Sequence, residues 1–502
     1  MEKGFHLRKS NYVIGIDLSF ECVQISYYEK GEKPQSVSTV PGSELYQIPL
    51  ALYKPKEDNW LFGREAIRKA EEEGKLPYRD LLRYVYLRKF FLVDGEQMPA
   101  IELLALFLRR VLSLLPGRYS LSGAGVLSIT AEKLDKDKAA ALSGLEGKLK
   151  ADVPLFILDR KEALFSYIAG QPKSVRSGEA LALSFREKNL QVFRFSLNQD
   201  TFPPMGRVFL DAQPFVIGGE EEFCRILAKY LTLGDFQSVF LIGEGPFGEW
   251  GKESLTLLCQ GRRVFRGSNL FCLGAAFHAL GKLTEEEGAA VYLGEDALLA
   301  SVSLGALERD RAGMAKLLPL GIQASEASWV SELYLDETRT LDFQISRLDG
   351  SIVIKRMVFS GIPERPGFST RARLSIKADQ KTNGLLRVRM TDLGMGDFYP
   401  ATGISQEEML DLYAPGGDNG SLTPHVRFAI GNYLEEAYEE PSTHYKAHCL
   451  EELSYIIIRN AELLDESLLD DNLPPWVGKL GLGELASGLA RSLRSKDLED
   501  FV

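Results

Sequence analysis

Asp17 is the residue on which chemistry would turn. It ends the run Tyr12-Val13-Ile14-Gly15-Ile16-Asp17 and is the only charge in it. A carboxylate closing an apolar strand costs far more to bury than a leucine unless something uses it. A metal-bound water, a ribose hydroxyl or a nearby lysine would each serve; an aspartate that merely caps a turn is the plain alternative. A second feature is Gly243-Glu244-Gly245-Pro246-Phe247-Gly248, a literal GxGxxG between a strand-like and a helix-like run. A dinucleotide site wants an acidic residue about twenty positions later, at the end of a second strand. Leu257 to Cys272 contains neither Asp nor Glu, so Arg262 and Arg263 would have to meet a 2′-phosphate, and a tight strand-to-helix turn is the structural alternative. His444 and His448 have the i,i+4 spacing of metal ligands, yet with Glu451 and Glu452 beside them a solvated charged face is the simpler reading. No Ser/His/Asp set with a nucleophile elbow is present.

The elements that must position these groups follow from periodicity. Tyr12 to Phe20 and Val23 to Tyr28 read as a hairpin of buried strands. Trp60 opens a helix to about Gly74, and Pro99 to Leu115 is a strongly amphipathic helix. Gly123 to Ile129 reads as a core strand, Ala131 to Leu149 as a helix, Leu155 to Leu158 as a strand, and Arg160 to Ile168 as a helix. Ala180 to Phe185 with Leu190 to Phe195 forms a second hairpin that echoes the first, the nearest thing to an internal repeat. Glu220 to Leu231 reads as a helix, Ser238 to Ile242 as a strand, and the glycine loop leads into a helix through Leu258. Strands alternating with helices predict a largely parallel or mixed α/β sheet. From about Leu293 short alternating runs, such as Leu341 to Ser346 and Ser351 to Lys355, predict an antiparallel β domain to about Gly403. Beyond Ser405 the pattern turns helical, with Tyr433 to Tyr438 and Ala447 to Leu464 the clearest segments.

Composition bounds the function classes. The chain has 502 residues, 45% hydrophobic and 26% charged, with a formal net charge of -11. That balance argues against a nucleic-acid or anionic-membrane surface, because phosphate binding needs clustered Lys and Arg. Five scattered cysteines without a CxxC spacing predict neither a disulfide framework nor a structural zinc site, and fit a reducing cytoplasm. No signal peptide is read at the N-terminus, and no apolar stretch is long enough to span a bilayer.

Together these pieces resemble the actin, hexokinase and heat-shock ATPase superfamily, and most closely its seventy-kilodalton heat-shock chaperones. Val13 to Leu18 resembles the first phosphate motif, Leu127 to Tyr167 the strand, helix, strand and connecting helix, and Gly267 to Ala276 the final helix motif. Ser360 to Gly367, Leu374 to Asp379, Asn383 to Val388 and Thr391-Asp392 are similar to the chaperones' peptide-binding β-sandwich. Here Asn383-Gly384 has the chemistry of a tight hairpin. The resemblance implies a two-lobed actin-like (ribonuclease H-like) nucleotide domain over 1–287, with lobes at about 1–172 and 173–287. An antiparallel β-sandwich over 288–404 and a helical, lid-like tail over 405–502 would follow.

For the site, the resemblance implies catalytic roles for Asp17 and Asp159 if activity remains. It implies nucleotide contacts from Gly15, Asp17, Ser19, Ser184, Gly243, Gly245 and Ser268, with ATP or ADP and magnesium held through water at Asp17. The departures are as telling. The second phosphate loop should be glycines following an aspartate, because backbone N–H groups do the binding; the residues here are Ser184-Phe185-Arg186-Glu187-Lys188-Asn189. Phe20 and Glu21 crowd the first loop, Lys89 is the only counterpart offered for the family's catalytic lysine, and Glu162 reads as a surface residue. The segment between Gly218 and Val239 is too short for the chaperones' adenine-clamping subdomain. Phosphoryl transfer depends on positioning and charge stabilisation, so a feeble or absent ATPase is expected. The expected protein is cytoplasmic and binds a protein or extended peptide partner, with nucleotide as a conformational ligand. An active ATP-dependent ATPase and a nucleotide-free actin-like scaffold are the alternatives.

Overall fold

Period two decides how the first strand is used. In the computed structural model, β1 (Tyr12–Leu18) is buried almost throughout. Ile14, Ile16 and Leu18 enter a core shared with β2 (Cys22–Glu29) and the amphipathic α1 (Ala100–Leu112), while Val13, Gly15 and Asp17 share the opposite face. Described are residues 10–40, 42–55, 59–176, 178–186, 189–211, 214–243, 251–284, 288–308, 311–336, 339–365, 369–379, 382–394, 399–415 and 426–428. The chain divides into two compact units, Met1–Gly294 and Glu295–Val502.

The first unit contains two mixed sheets built to one plan. In the first, β1 pairs antiparallel with β2, which pairs with β3 (Gln35–Ser36), and parallel with β4 (Leu127–Ala131), which pairs parallel with β5 (Leu155–Asp159). The helix α2 (Arg160–Ala169) follows. In the second, β6 (Glu179–Arg186), β7 (Asn189–Asn198) and β8 (Met205–Leu210) form the antiparallel run. The helix α3 (Glu220–Leu231) precedes β9 (Phe236–Ile242) and β10 (Arg263–Gly267), which continue from β6 in parallel. The strand orders 3-2-1-4-5 and 8-7-6-9-10 are equivalent. α2 and the final helix α4 (Leu270–Thr284) pack against each other. Gly274 lets them approach, since a Cβ there would lie 2.0 Å from the Ala163 oxygen, and Gly15 lets α4 lie against β1, since a Cβ there would lie 2.3 Å from the Ala276 nitrogen.

The second unit is antiparallel throughout its described strands. One sheet runs β12 (Arg311–Leu318), β11 (Ala300–Glu308), β14 (Thr340–Arg347), β15 (Ile352–Val358); the other runs β18 (Ser405–Asp411), β17 (Leu385–Gly394), β16 (Ser369–Ala378), β13 (Ser328–Asp336), Val426–Phe428. Inward residues of both sheets, among them Val302, Phe343, Leu333, Leu374 and Val388, form a single core. The Pro-rich turn is tied to Thr391-Asp392 by a buried ion pair: Arg365 Nη1 and Nη2 donate to Asp392 Oδ1 and Oδ2 at 2.8 and 3.0 Å.

Three sequence expectations differ from the structure. The helix over Ala131 to Leu149 is confined to Lys136–Ser143, because Lys133, Gly147 and Lys150 have positive φ, outside the right-handed helix. The first unit ends at Gly294, next to the change of character read from about Leu293 but beyond the 287 that the resemblance implied, since Val291–Tyr292 still pairs with β8. Ser405–Asp411 is a strand and not the start of a helical tail. It pairs with β17 from Thr391↔Ser405 to Leu385↔Asp411, and its only fully buried side chain is Leu410, so its alternation is faint. Tyr433 to Tyr438, Ala447 to Leu464, His444 and His448 lie outside the described residues. No helix among the described residues is long and apolar enough to cross a membrane.

Candidate functional site

Between the two sheets of the first unit lies a cavity of about 550 Å³. Asp17 reaches it because β1 turns its odd-numbered residues toward α4 and the start of α2. Its partner is Arg160, the first residue of α2. Arg160 Nε and Nη2 donate to Asp17 Oδ1 at 3.1 and 3.0 Å, and Nη2 also to Oδ2 at 3.1 Å. The guanidinium carbon stands 4.9 Å from the Phe271 ring centroid. Burial pushes the Asp17 carboxyl above its ordinary value, and the charge and hydrogen bonds of Arg160 work against that rise.

Where the resemblance led one to expect a second phosphate loop, an ion pair crosses the cavity instead. Arg186, the last residue of β6, meets Glu132 and, at 3.1 Å, Glu21. Both glutamates belong to the first sheet's side, one just past β4 and the other in the β1–β2 turn. Glu132 also accepts from the Phe20 backbone N–H at 3.3 Å. Arg83 and Lys133 approach the Phe20 ring at 5.5 and 5.9 Å, which makes the cavity wall side-chain-lined and mixed in charge.

The remaining expected residues divide. Ser19, Ser184, Gly243 and Ser268 line the cavity with Asp17. Ser19 is occupied locally: its hydroxyl donates to the Cys22 carbonyl at 2.9 Å and accepts the Cys22 N–H at 3.0 Å, closing the hairpin. The Ser268 carbonyl accepts from Gln24 Nε2 at 2.9 Å. Gly243 has φ +90 and sits so close to β6 that a Cβ would meet the Phe185 carbonyl at 2.4 Å. Gly15 faces α4 rather than the cavity. Asp159 does not line it either; it caps α2, accepting from the Glu162 N–H at 2.8 Å. Lys89 lies over the Tyr84 ring at 5.6 Å, away from the lining. Gly245 and Lys188 lie outside the described residues.

Sequence reasoning missed Arg160 as the partner of Asp17. A cation at the first position of a helix opposes the macrodipole, and that misfit was the available signal. It also missed a polar cluster joining β4, α2 and α4. The Ser128 hydroxyl lies 2.9 Å from His278 Nδ1, and His278 Nε2 lies 3.7 Å from Glu162 Oε1. Burial lowers His278 to about 4, helped by Lys282, and burial with the Asp159 charge raises Glu162 to about 7. Glu162 is thus half-buried, its side chain 32% exposed, and faces His278 rather than standing free on the surface.

Among the described residues no group of three or more His, Cys, Asp or Glu is placed to hold a metal. The donors at Asp17 do not fit magnesium: both oxygens accept from a guanidinium, whose charge would repel a cation there. The first unit is thus a mixed α/β body of two sheets with equivalent strand order, and the cavity between them is crossed by arginine–carboxylate pairs. Residues 33–295 match the family described as "Family of unknown function (DUF5716) C-terminal", more than half of the chain, and the chain belongs to that family. Residues 297–412 match the "Domain of unknown function (DUF8552)", which spans the described strands of the second unit from β11 to β18, with Val426–Phe428 lying beyond it. No curated protein matches the chain.

Proposed function

We propose that this chain is a divergent relative of the seventy-kilodalton heat-shock chaperones. Its actin-like unit does not turn over ATP, and its β-sandwich unit binds a protein or extended peptide partner. The observation that carries this reading is the bidentate hold of Arg160 on Asp17. It occupies the carboxylate that would position a hydrated metal ion and places a fixed positive charge where the metal would stand. The repeated strand order of the two sheets supports the actin-like assignment, and Arg186 occupying the place of a bare phosphate loop supports the loss of turnover. Nucleotide entering the cavity acts as a conformational ligand, by differential affinity for arrangements with the Arg186 pairs closed or parted. A nucleotide-free scaffold is the second reading, favoured by the same two arginines, which already neutralise the carboxylates a ligand would need.

Calorimetry with ATP and magnesium, combined with a phosphate-release assay, tests this. Binding without release is expected, absence of heat selects the scaffold, and steady turnover abolished by Asp17→Asn would refute the proposal.

A further inference from the structure

We infer that the outward face of the five-stranded sheet in the second unit is a docking surface for an acidic protein segment in extended conformation. The inference rests on reading this unit as the partner-binding part. Along β16 the outward positions are Arg371, Arg373, Ser375 and Lys377, and along β17 they include Arg387, Arg389 and Thr391. Register sets Ser375 opposite Arg389 and Lys377 opposite Arg387. Five cations therefore run down the two middle strands of a chain whose net charge is -11.

Among the described residues their local partners are too few. Arg371 and Arg373 share one carboxylate, Glu332 on β13, and Arg387 and Arg389 share another, Glu407 on β18. Asp379 reaches Arg387 only at 3.9 Å, and Lys377 is exposed with no ion pair to another described residue. A ladder serving only the sheet would match charges one to one. Here four guanidiniums, each about half exposed, divide two carboxylates and retain donors facing solvent.

Geometry selects the partner. Alternate residues of a strand repeat every ~7 Å on one face, so Arg371 and Arg373 match alternate carboxylates of an extended segment lying along them. The stripe is two strands wide, about 10 Å allowing for side chains, and Glu332 and Glu407 border it on either side. A nucleic acid duplex would press phosphates onto those glutamates. The two middle strands present no outward aromatic residue on which single-stranded bases would stack.

Fluorescence anisotropy on the 502-residue chain tests the surface. The probes are a labelled twelve-residue peptide of alternating Glu and Ser, an extended apolar peptide and a single-stranded oligonucleotide. Saturable binding of the Glu-Ser peptide is expected, weakening as salt rises and falling about tenfold or more in Arg373→Glu/Arg389→Glu. Ser375→Arg adds a cation without removing a partner and should tighten binding, so the question stays answerable where the double reversal fails to fold. No saturable binding at low salt, unchanged affinity in both variants, or tighter binding of the oligonucleotide would overturn the inference. If the apolar peptide binds and the acidic one does not, this surface falls while partner binding stands; if neither binds, both fall.

Discussion

The Asp17–Arg160 pair joins a buried carboxylate to a mostly covered guanidinium, and this makes it costly to break from one side. Side-chain exposure is 9% for Asp17 and 16% for Arg160. Arg160→Ala should lower unfolding free energy in urea by about 3–5 kcal/mol, because it strands a carboxylate away from water. Asp17→Asn combined with Arg160→Gln should lose less than the sum of the two single changes, and strict additivity would show that the pair is not coupled. Asp392 is the matching residue in the second unit. Desolvation works to raise its pKa, but Arg365, the Thr402 hydroxyl and the backbone N–H groups of Thr402 and Gly394 together hold it well below the usual carboxylate range. A depressed carboxylate stabilises the fold above its unfolded pKa, near 4, and that contribution is lost as pH falls through the folded value. Denaturation followed between pH 5 and 2 should therefore show a steep loss of stability in the native chain and a shallower one in Asp392→Asn.

At the scale of elements, the first unit depends on helices that lie unusually close to their neighbours. Gly15→Ala sets a Cβ against backbone of α4, and Gly274→Ala sets one against backbone of α2; neither neighbour is a side chain that can turn away. Each change should cost about 1–3 kcal/mol, read from thermal unfolding, and a neutral result would mean that α4 shifts freely on the sheet. The same junction carries opposing pH effects. His278, lowered to about 4, adds stability above its unfolded pKa near 6.5 and loses it as pH falls toward 4. Glu162, raised to about 7, adds stability below its unfolded pKa near 4.5 and loses it as pH rises through 7. Their slopes oppose each other from about pH 4.5 to 6.5, and above that only the Glu162 loss remains. Stability should then decline from pH 6.5 to 8, and Glu162→Gln should flatten that decline; an unchanged slope would remove Glu162 as its source.

At the scale of the molecule, each unit has its own core. Phe343, fully buried between the two sheets of the second unit, should cost about 3–5 kcal/mol when replaced by alanine. Scanning calorimetry should place that loss in the second unit's transition and leave the first unit's in place. The hairpins at Tyr12–Glu29 and Glu179–Asn198 were legible as short, nearly continuous apolar runs bounded by polar turns, and the helix Glu220–Leu231 because its buried residues follow a 3.6 period. Ser405–Asp411 was not legible, since a polar edge strand with one fully buried leucine leaves almost no alternation to read. Sequence alone determined that Asp17 must have a partner, since no apolar strand can end in a buried carboxylate unaided. It also determined that the turn after the second hairpin's first strand, Phe185-Arg186-Glu187-Lys188, is bulky and charged rather than glycine-rich. Only the tertiary structure decided that the partner is Arg160, 143 residues away, and that Arg186 spans the cavity to Glu21 and Glu132. Periodicity records which face of an element is buried; which charges then meet depends on how the packed sheets and helices bring those faces together.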